Sequence, residues 1–131
     1  MISGSCHCGA VRIAVASAPE WVAQCNCSLC RRTGVLMAYY PAEALTVTGE
    51  TAPYLTGDKW IAIQHCPICA CLTHWEPVAD LADRRLSAED LASLTNRRGV
   101  NVRLLDGFTV TKDGPAFEGM PLPVRFMDNA D

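Results

Sequence analysis

The sequence predicts a small, mainly β domain with one or two short helices. Three observations lead to this prediction. Short extended segments rich in β-branched residues follow one another along the chain, a single clear helical segment interrupts them, and eight cysteines fall into three tight clusters between them. A length of 131 residues is typical of one domain, so we expect residues 1–131 to fold as a single unit.

Four segments have the pattern of short strands. In the first, Val11, Ile13 and Val15 alternate with other residues, which places them on one face of a strand. The last ends at Asp106-Gly107, a turn signal. The predicted strands are residues 10–15, 45–48, 60–65 and 100–105.

One helix is expected after Ser87, which can cap its first turn. Glu89 and Asp90 lie in that turn, where the helix dipole favours negative charge. Its buried face would consist of leucines, namely Leu86, Leu91 and Leu94. A second, shorter helix is expected at residues 42–44. From about residue 115 the chain holds three prolines, so an irregular end is expected there.

The composition excludes several classes of protein. Half of the residues are hydrophobic, which argues against disorder, and 11 basic against 14 acidic residues give none of the basic character of a nucleic-acid binder. The longest apolar run, residues 35–40, is too short to span a bilayer, and the first residues do not have the pattern of a signal peptide. We therefore expect a cytoplasmic protein with no nucleic-acid or membrane partner, in a compartment that keeps thiols reduced.

The spacing of the cysteines is typical of metal ligands. In C-x-C the two thiols lie on the same side of an extended chain, and C-x-x-C forms a turn that directs two sulfurs to one centre. The clusters are Cys6 and Cys8; Cys25, Cys27 and Cys30; and Cys66, Cys69 and Cys71. Four thiolates complete a closed tetrahedral zinc site, whereas three leave one position open for water or substrate. Zinc is therefore the expected cofactor, with two ions per chain.

The favoured partition of the cysteines is four plus three. A structural zinc would be bound by Cys6, Cys8, Cys66 and Cys69, and an open second zinc by Cys25, Cys27 and Cys30. Cys71 would then be a buried apolar residue. Other arrangements stay open: a zinc ribbon made by Cys27 and Cys30 with Cys66 and Cys69, four disulfides, a redox pair at Cys66 and Cys69, or an iron–sulfur cluster.

The same motifs resemble those of the glutathione-dependent formaldehyde-activating family, which includes centromere protein V. The resembling segments are residues 4–11, 25–34, 65–69 and 99–105, and their order and spacing agree over about the first 110 residues. The resemblance implies a β-tent fold, in which zinc holds small β-sheets together. It also implies the same two sets of zinc ligands, the four cysteines of the structural site and the three of the open site. Ala70 replaces the glycine usual after the second C-x-x-C, so we expect a different turn into Cys71.

The resemblance also implies an activity, that of a carbon–sulfur lyase similar to S-(hydroxymethyl)glutathione synthase. A thiol that binds the open zinc loses its proton and becomes a good nucleophile toward an aldehyde. Arg31 and Arg32 follow Cys30, and one of them can pair with a carboxylate of glutathione. Asn26 and Ser28 are candidate hydrogen-bond donors to the sulfurs, as are the backbone N–H groups. The alternatives are a glutathione carrier, a non-catalytic zinc-structured binding module, or a thiol redox protein.

Overall fold

The computed structural model describes residues 1–57 and 59–130. This part of the chain is mainly β with two α-helices, which confirms the predicted fold class. The strands are β1 (Ile2–Ser5), β2 (Arg12–Val15), β3 (Val22–Cys25), β4 (Met37–Pro41), β5 (Leu45–Thr48), β6 (Ala52–Leu55), β7 (Ile61–His65), β8 (Leu72–Pro77), β9 (Arg97–Asn101), β10 (Phe108–Thr111), β11 (Gly114–Phe117), β12 (Met120–Pro121) and β13 (Val124–Met127). The α-helices are α1 (Ser28–Thr33) and α2 (Ala88–Thr95), and single 3-10 turns lie at Ala42–Ala44, Leu81–Asp83 and Val102–Leu104. No helix in the described residues is long and apolar enough to cross a membrane.

The described strands form one large sheet and two small ones. The large sheet has seven strands in the order β13-β3-β4-β9-β8-β7-β6, and the small sheets have the orders β1-β2-β5 and β10-β11-β12. Neighbouring strands are antiparallel except β13, which runs parallel to β3. The chain therefore brings its last strand beside β3, the strand that leads into the middle cysteine cluster.

Three of the four predicted strands lie where the pattern places them. Val11, Ile13 and Val15 are buried, and β5 and β7 fall within the predicted segments. The fourth prediction was wrong in its position, because β9 ends at Asn101 and a 3-10 turn follows. The side chain of Asn101 accepts a hydrogen bond from the backbone N–H of Arg103 at 3.2 Å. Such a local bond competes with strand pairing and ends β9 early.

Helix α2 begins as predicted, but its expected buried face is only partly covered. The Ser87 hydroxyl accepts a hydrogen bond from the backbone N–H of Asp90 at 3.0 Å, the geometry of an N-cap. None of the helix residues is fully buried, and Leu86, Leu91 and Leu94 are all half-buried. Of these, Leu94 packs against the buried cluster that contains Trp75. The helix therefore lies on the outer surface of the core.

The expectation of an irregular end from residue 115 was wrong. Residues 114–127 contain three strands, and Phe117 and Leu122 from this segment are buried in the core. Proline lacks an N–H but its carbonyl still accepts hydrogen bonds. Pro115 accepts one from Leu122 at 3.0 Å, and Pro123 accepts one from Val22 at 2.9 Å. The prolines therefore take part in the pairing through their carbonyl groups.

One face of the large sheet carries a row of aromatic rings that leads to the middle cysteines. The rings of Trp21 and Tyr39 have centroids 5.9 Å apart, and those of Tyr39 and Trp75 have centroids 6.1 Å apart. The indole of Trp75 occupies the space that a side chain on Gly99 would fill. Glycine at this position therefore lets the indole lie close against the sheet.

Candidate metal centres

The first cysteine cluster joins the start of the chain to its middle. The sulfur atoms of Cys6, Cys8, Cys66 and Cys69 all lie within 4.8 Å of one another. The first two follow β1, and the other two lie in the turn between β7 and β8. Cys6 and Cys66 are buried, at 2% and 0% exposure. Four sulfurs at such distances can hold one metal ion, and this donor set is consistent with a closed zinc site.

Backbone N–H groups point at the sulfurs of this cluster. The N–H of Val11 donates to Cys6 Sγ at 3.3 Å, and the N–H of Ile68 donates to Cys66 Sγ at 3.4 Å. Hydrogen bonds to sulfur favour the thiolate, which is the form that binds metal. The local backbone thus favours metal binding by these sulfurs.

The pKa of Cys69 shows the same preference for the thiolate. Backbone N–H groups of Cys71 and Cys8 lower the pKa of Cys69 to about 5, against a smaller opposing effect of burial. The lowered pKa favours the thiolate, which is the form that binds metal.

The turn after Cys69 keeps a left-handed conformation although it contains alanine. Ala70 has φ of 67°, and its N–H donates to the Cys66 carbonyl at 2.9 Å. The expectation of a different turn was therefore wrong. The hydrogen bond and the sulfur cluster hold Ala70 in the left-handed conformation, which is energetically unfavourable for an L-amino acid.

We expect Ala70→Gly to raise the free energy of unfolding by about 1 kcal/mol, because glycine adopts this φ without steric strain. Thermal denaturation of the zinc-loaded protein measures the change. The matched control is Ala92→Gly, in the exposed part of α2, which should lower stability by about 1 kcal/mol. Equal destabilisation by both substitutions would show that Ala70 carries no strain.

The second cluster is built where β3 meets α1. The sulfurs of Cys25, Cys27 and Cys30 lie within 4.8 Å of one another, and all three residues are half-buried. Cys27 caps α1 by accepting a hydrogen bond from the N–H of Cys30 at 3.3 Å, and Cys25 Sγ accepts one from the N–H of Cys27 at 3.4 Å. Residues three apart lie on the same side of a helix, which brings the sulfurs of Cys27 and Cys30 together.

The end of the chain holds this loop in place, a contact that the sequence analysis missed. Asn129 Nδ2 donates to Cys25 Sγ at 3.4 Å, and the Asn129 N–H donates to Asn26 Oδ1 at 2.7 Å. Asn26 Nδ2 in turn donates to Asp128 Oδ1 at 2.8 Å. Asn26 was a candidate donor to sulfur, but its side chain instead bonds to the tail. The tail lies about a hundred positions away in sequence, so no local pattern indicates the contact.

The thiols of Cys25 and Cys30 in this cluster have pKa values that are shifted in opposite directions. Burial raises the pKa of Cys25, but hydrogen bonds from the Asn129 side chain and the Cys27 backbone outweigh burial and lower it. Burial also raises the pKa of Cys30, and the adjacent thiol of Cys27 raises it further. The cluster therefore favours the thiolate at Cys25 over the thiolate at Cys30. Three sulfur donors fit a zinc site that keeps one position open.

All eight cysteines are free thiols, and the sulfurs group as four and three. Cys27 and Cys30 share no cluster with Cys66 and Cys69, so the ribbon arrangement is absent from the described residues. Cys71 belongs to neither cluster. It is half-buried rather than buried and lines a cavity of about 530 Å³ near His7.

Two cavities meet at the second cluster, and Cys25 and Cys30 line both of them. A cavity of about 240 Å³, here named the arginine cleft, is lined on its other side by Arg31 and Arg103. A cavity of about 200 Å³, here named the apolar pocket, has mostly apolar walls. Those walls include Met37, Tyr39, Ile61, Ile63 and Trp75.

The two arginines that were candidate substrate contacts occupy different positions. Arg31 lines the arginine cleft. Arg32 lies in none of the described cavities next to the cluster, and its Nη1 donates to the carbonyl and the hydroxyl of Ser28. Arg32 is thus held against its own helix.

Arg103 was missed as a site residue because the sequence suggested a strand there. Its Nε donates to the carbonyl of Gly34 at 2.8 Å, which fixes the guanidinium beside the end of α1. The guanidinium also lies over the ring of Phe108, 5.9 Å from its centroid. Within residues 1–57 and 59–130, no hydrogen bond or ion pair to another side chain engages its Nη groups, so they can reach an anion in the cleft.

Comparisons with known proteins agree with this geometry. The family model described as glutathione-dependent formaldehyde-activating enzyme matches residues 1–93. The chain is also similar to a crystal structure of a Rhodobacter sphaeroides protein, with 29% identity and a TM-score of 0.65, over 94% of this chain and 99% of that one. A search among curated proteins gives no match. Since the family model covers more than half of the residues, the chain belongs to the glutathione-dependent formaldehyde-activating enzyme family.

Proposed function

We propose that the chain is a zinc-dependent protein, similar to carbon–sulfur lyases, that binds a thiol such as glutathione and its aldehyde adduct at Cys25, Cys27 and Cys30. The observation that supports this most is the position of these three half-buried sulfurs between a basic cleft and an apolar pocket. The family name points to the same thiol and to formaldehyde as the carbonyl partner.

Zinc held by the three cysteines would favour the thiolate of an incoming thiol and so raise its reactivity toward an aldehyde. The chain's own residues orient the reactants. Arg31 and Arg103 pair with carboxylates of the peptide thiol, and Asn129 holds the sulfur of Cys25. The new sulfur–carbon bond forms as the C=O π bond opens, and the proton lost by the thiol ends on the oxygen. Proximity supplies most of the acceleration.

The first cluster has a structural role in this proposal. Cys6, Cys8, Cys66 and Cys69 would hold a second zinc ion that ties β1 and β2 to the turn between β7 and β8. A metal tie between such distant segments stabilises the fold. The placement in the cytoplasm stays a prediction, supported by the eight free thiols.

Replacing the cleft arginines tests the thiol site. We expect Arg31→Gln and Arg103→Gln each to weaken glutathione binding about tenfold, because each removes one charge-assisted contact of about 1.5 kcal/mol. Arg32→Gln is the matched control and should change the affinity less than about twofold, since Arg32 bonds to Ser28. Isothermal titration of the zinc-loaded protein measures all three.

The same titration, repeated with formaldehyde and followed by the rate of adduct formation, separates the candidate functions. Faster adduct formation than in buffer supports the lyase-like activity. Glutathione binding without acceleration indicates the carrier. No binding of any small thiol would overturn the proposal and leave a zinc-structured binding module.

A further inference from the structure

The apolar pocket is larger than a formaldehyde adduct needs. Its volume is about 200 Å³, whereas a cavity of about 150 Å³ lined by aliphatic and aromatic side chains already holds benzene. A hydroxymethyl group is a single polar carbon, and it gains little from walls made by Met37, Ile63 and Trp75. The size and lining of the pocket therefore match a hydrocarbon group of about five or six carbons.

The pocket also lies beside the cysteines at which the reacting sulfur would bind. Sulfur in a thiol–aldehyde adduct carries two substituents, the peptide and the carbon derived from the aldehyde. Cys25 and Cys30 line two cavities, so a sulfur bound at this cluster has a separate cavity available for each substituent. The arginine cleft suits the charged peptide, which leaves the apolar pocket for the aldehyde-derived group.

The walls of the pocket are held rigidly enough to select by size. Met37 and Ile63 are each 6% exposed, and Trp75 is 8% exposed and lies against Gly99. The guanidinium of Arg97 stacks over the ring of Tyr39, 4.2 Å from its centroid, which fixes the remaining aromatic wall. Packed walls of this kind resist expansion, so carbons beyond those that fill the pocket gain no further burial.

We propose that the apolar pocket binds the hydrocarbon group of the adduct, so that the preferred carbonyl substrate is an aromatic or medium-chain aldehyde and not formaldehyde. This inference rests on the proposed function, because it assumes that the thiol sulfur binds at Cys25, Cys27 and Cys30. In the reaction, the thiol sulfur bonds to the aldehyde carbon, the C=O π bond opens, and the thiol proton is transferred to the oxygen. The product is a hemithioacetal whose carbon chain lies against Met37, Ile63 and Trp75.

A series of S-alkylglutathiones tests the pocket by binding, without turnover. The series runs from S-methyl to S-octyl and adds S-benzyl, and the zinc-loaded protein is titrated with each compound. Each methylene is expected to tighten binding about fourfold, from about 0.8 kcal/mol per buried CH₂. The S-pentyl compound should therefore bind roughly 10²-fold tighter than the S-methyl compound, and the gain should stop near six carbons, when the pocket is full.

Two variants of the pocket give opposite changes. Ile61→Phe reduces the volume and should lower the affinity for the S-pentyl compound about tenfold, with the S-methyl compound unaffected. Met37→Ala enlarges the pocket and should move the tightest binding to a longer chain, a change that an unfolded variant cannot produce. The control is Val110→Ala, an exposed residue of β10 that lines neither cavity and should leave the whole series unchanged.

A parallel series of simple alkanethiols separates failure of the pocket from failure of the proposed function. If S-methylglutathione binds but longer chains bind no tighter, the pocket inference is wrong and the thiol site stands. If alkanethiols show the dependence on chain length and no glutathione compound binds, the pocket is correct and the peptide part of the proposed function is wrong. If no compound of either series binds, both are overturned.

Discussion

Cys66→Ser is expected to unfold the chain at room temperature. Cys66 is completely buried, and its sulfur lies 3.6 Å from Cys8 Sγ in the four-sulfur cluster. A structural zinc site contributes on the order of 10 kcal/mol to folding, and losing one ligand removes much of it. The loss should exceed about 5 kcal/mol, comparable with the whole stability of a small domain. Circular dichroism in the presence of zinc measures the remaining folded fraction.

Cys71→Ser is the matched control for this experiment. Cys71 is two residues from Cys69 in sequence but belongs to neither cluster, so its replacement should cost less than about 1 kcal/mol. A second test uses the unmodified chain, which should lose its fold when a strong chelator removes the metal. If Cys66→Ser and Cys71→Ser melt alike, the four-sulfur cluster does not support the fold.

Cys30→Ser is expected to abolish thiol binding and leave the fold intact. Cys30 is half-buried in the first turn of α1, and in the described part of the chain its sulfur ties no segment beyond β3 and α1. With two sulfur ligands left, the site should lose its zinc, and glutathione affinity should fall by at least about 10²-fold, equivalent to about 2.7 kcal/mol. Native mass spectrometry should then find one zinc ion per chain, and the circular dichroism spectrum should match that of the unmodified protein.

The contrast between the two cysteine variants distinguishes the roles of the clusters. Leu29→Ala, one position from Cys30, serves as a control for local disturbance of α1, and it should keep both zinc ions. If Cys30→Ser binds glutathione as tightly as the unmodified protein, the three-sulfur cluster is not the thiol site. If it unfolds the chain, the cluster has a structural role.

The approach of cysteines within one segment could be predicted because it depends on local geometry, whereas the approach of Cys8 to Cys66, 58 positions away, depends on the fold. Cys27 and Cys30 meet through the helix repeat, and the turn at Cys66 and Cys69 is fixed by hydrogen bonds within a few residues. Asn129 could not be predicted, because it reaches Cys25 only after β13 pairs with β3. This contact also lies outside the residues that the family model matches.

The fold was predicted best where one face of an element is buried. The alternation of Val11, Ile13 and Val15 gave the correct strand because the buried face of β2 repeats every second residue. The end of β9 depends on the side chain of Asn101, which also donates to the Leu72 carbonyl of the neighbouring strand at 2.9 Å. A contact with another strand cannot be inferred from the hydrophobic pattern of residues 100–105.

A zinc-edge anomalous difference map of a crystal of this protein tests the central claim most directly. We predict two peaks per chain, one among the sulfurs of Cys6, Cys8, Cys66 and Cys69 and one among those of Cys25, Cys27 and Cys30. A single peak shared by sulfurs from both clusters, or a folded chain with no peak at either, would contradict the account.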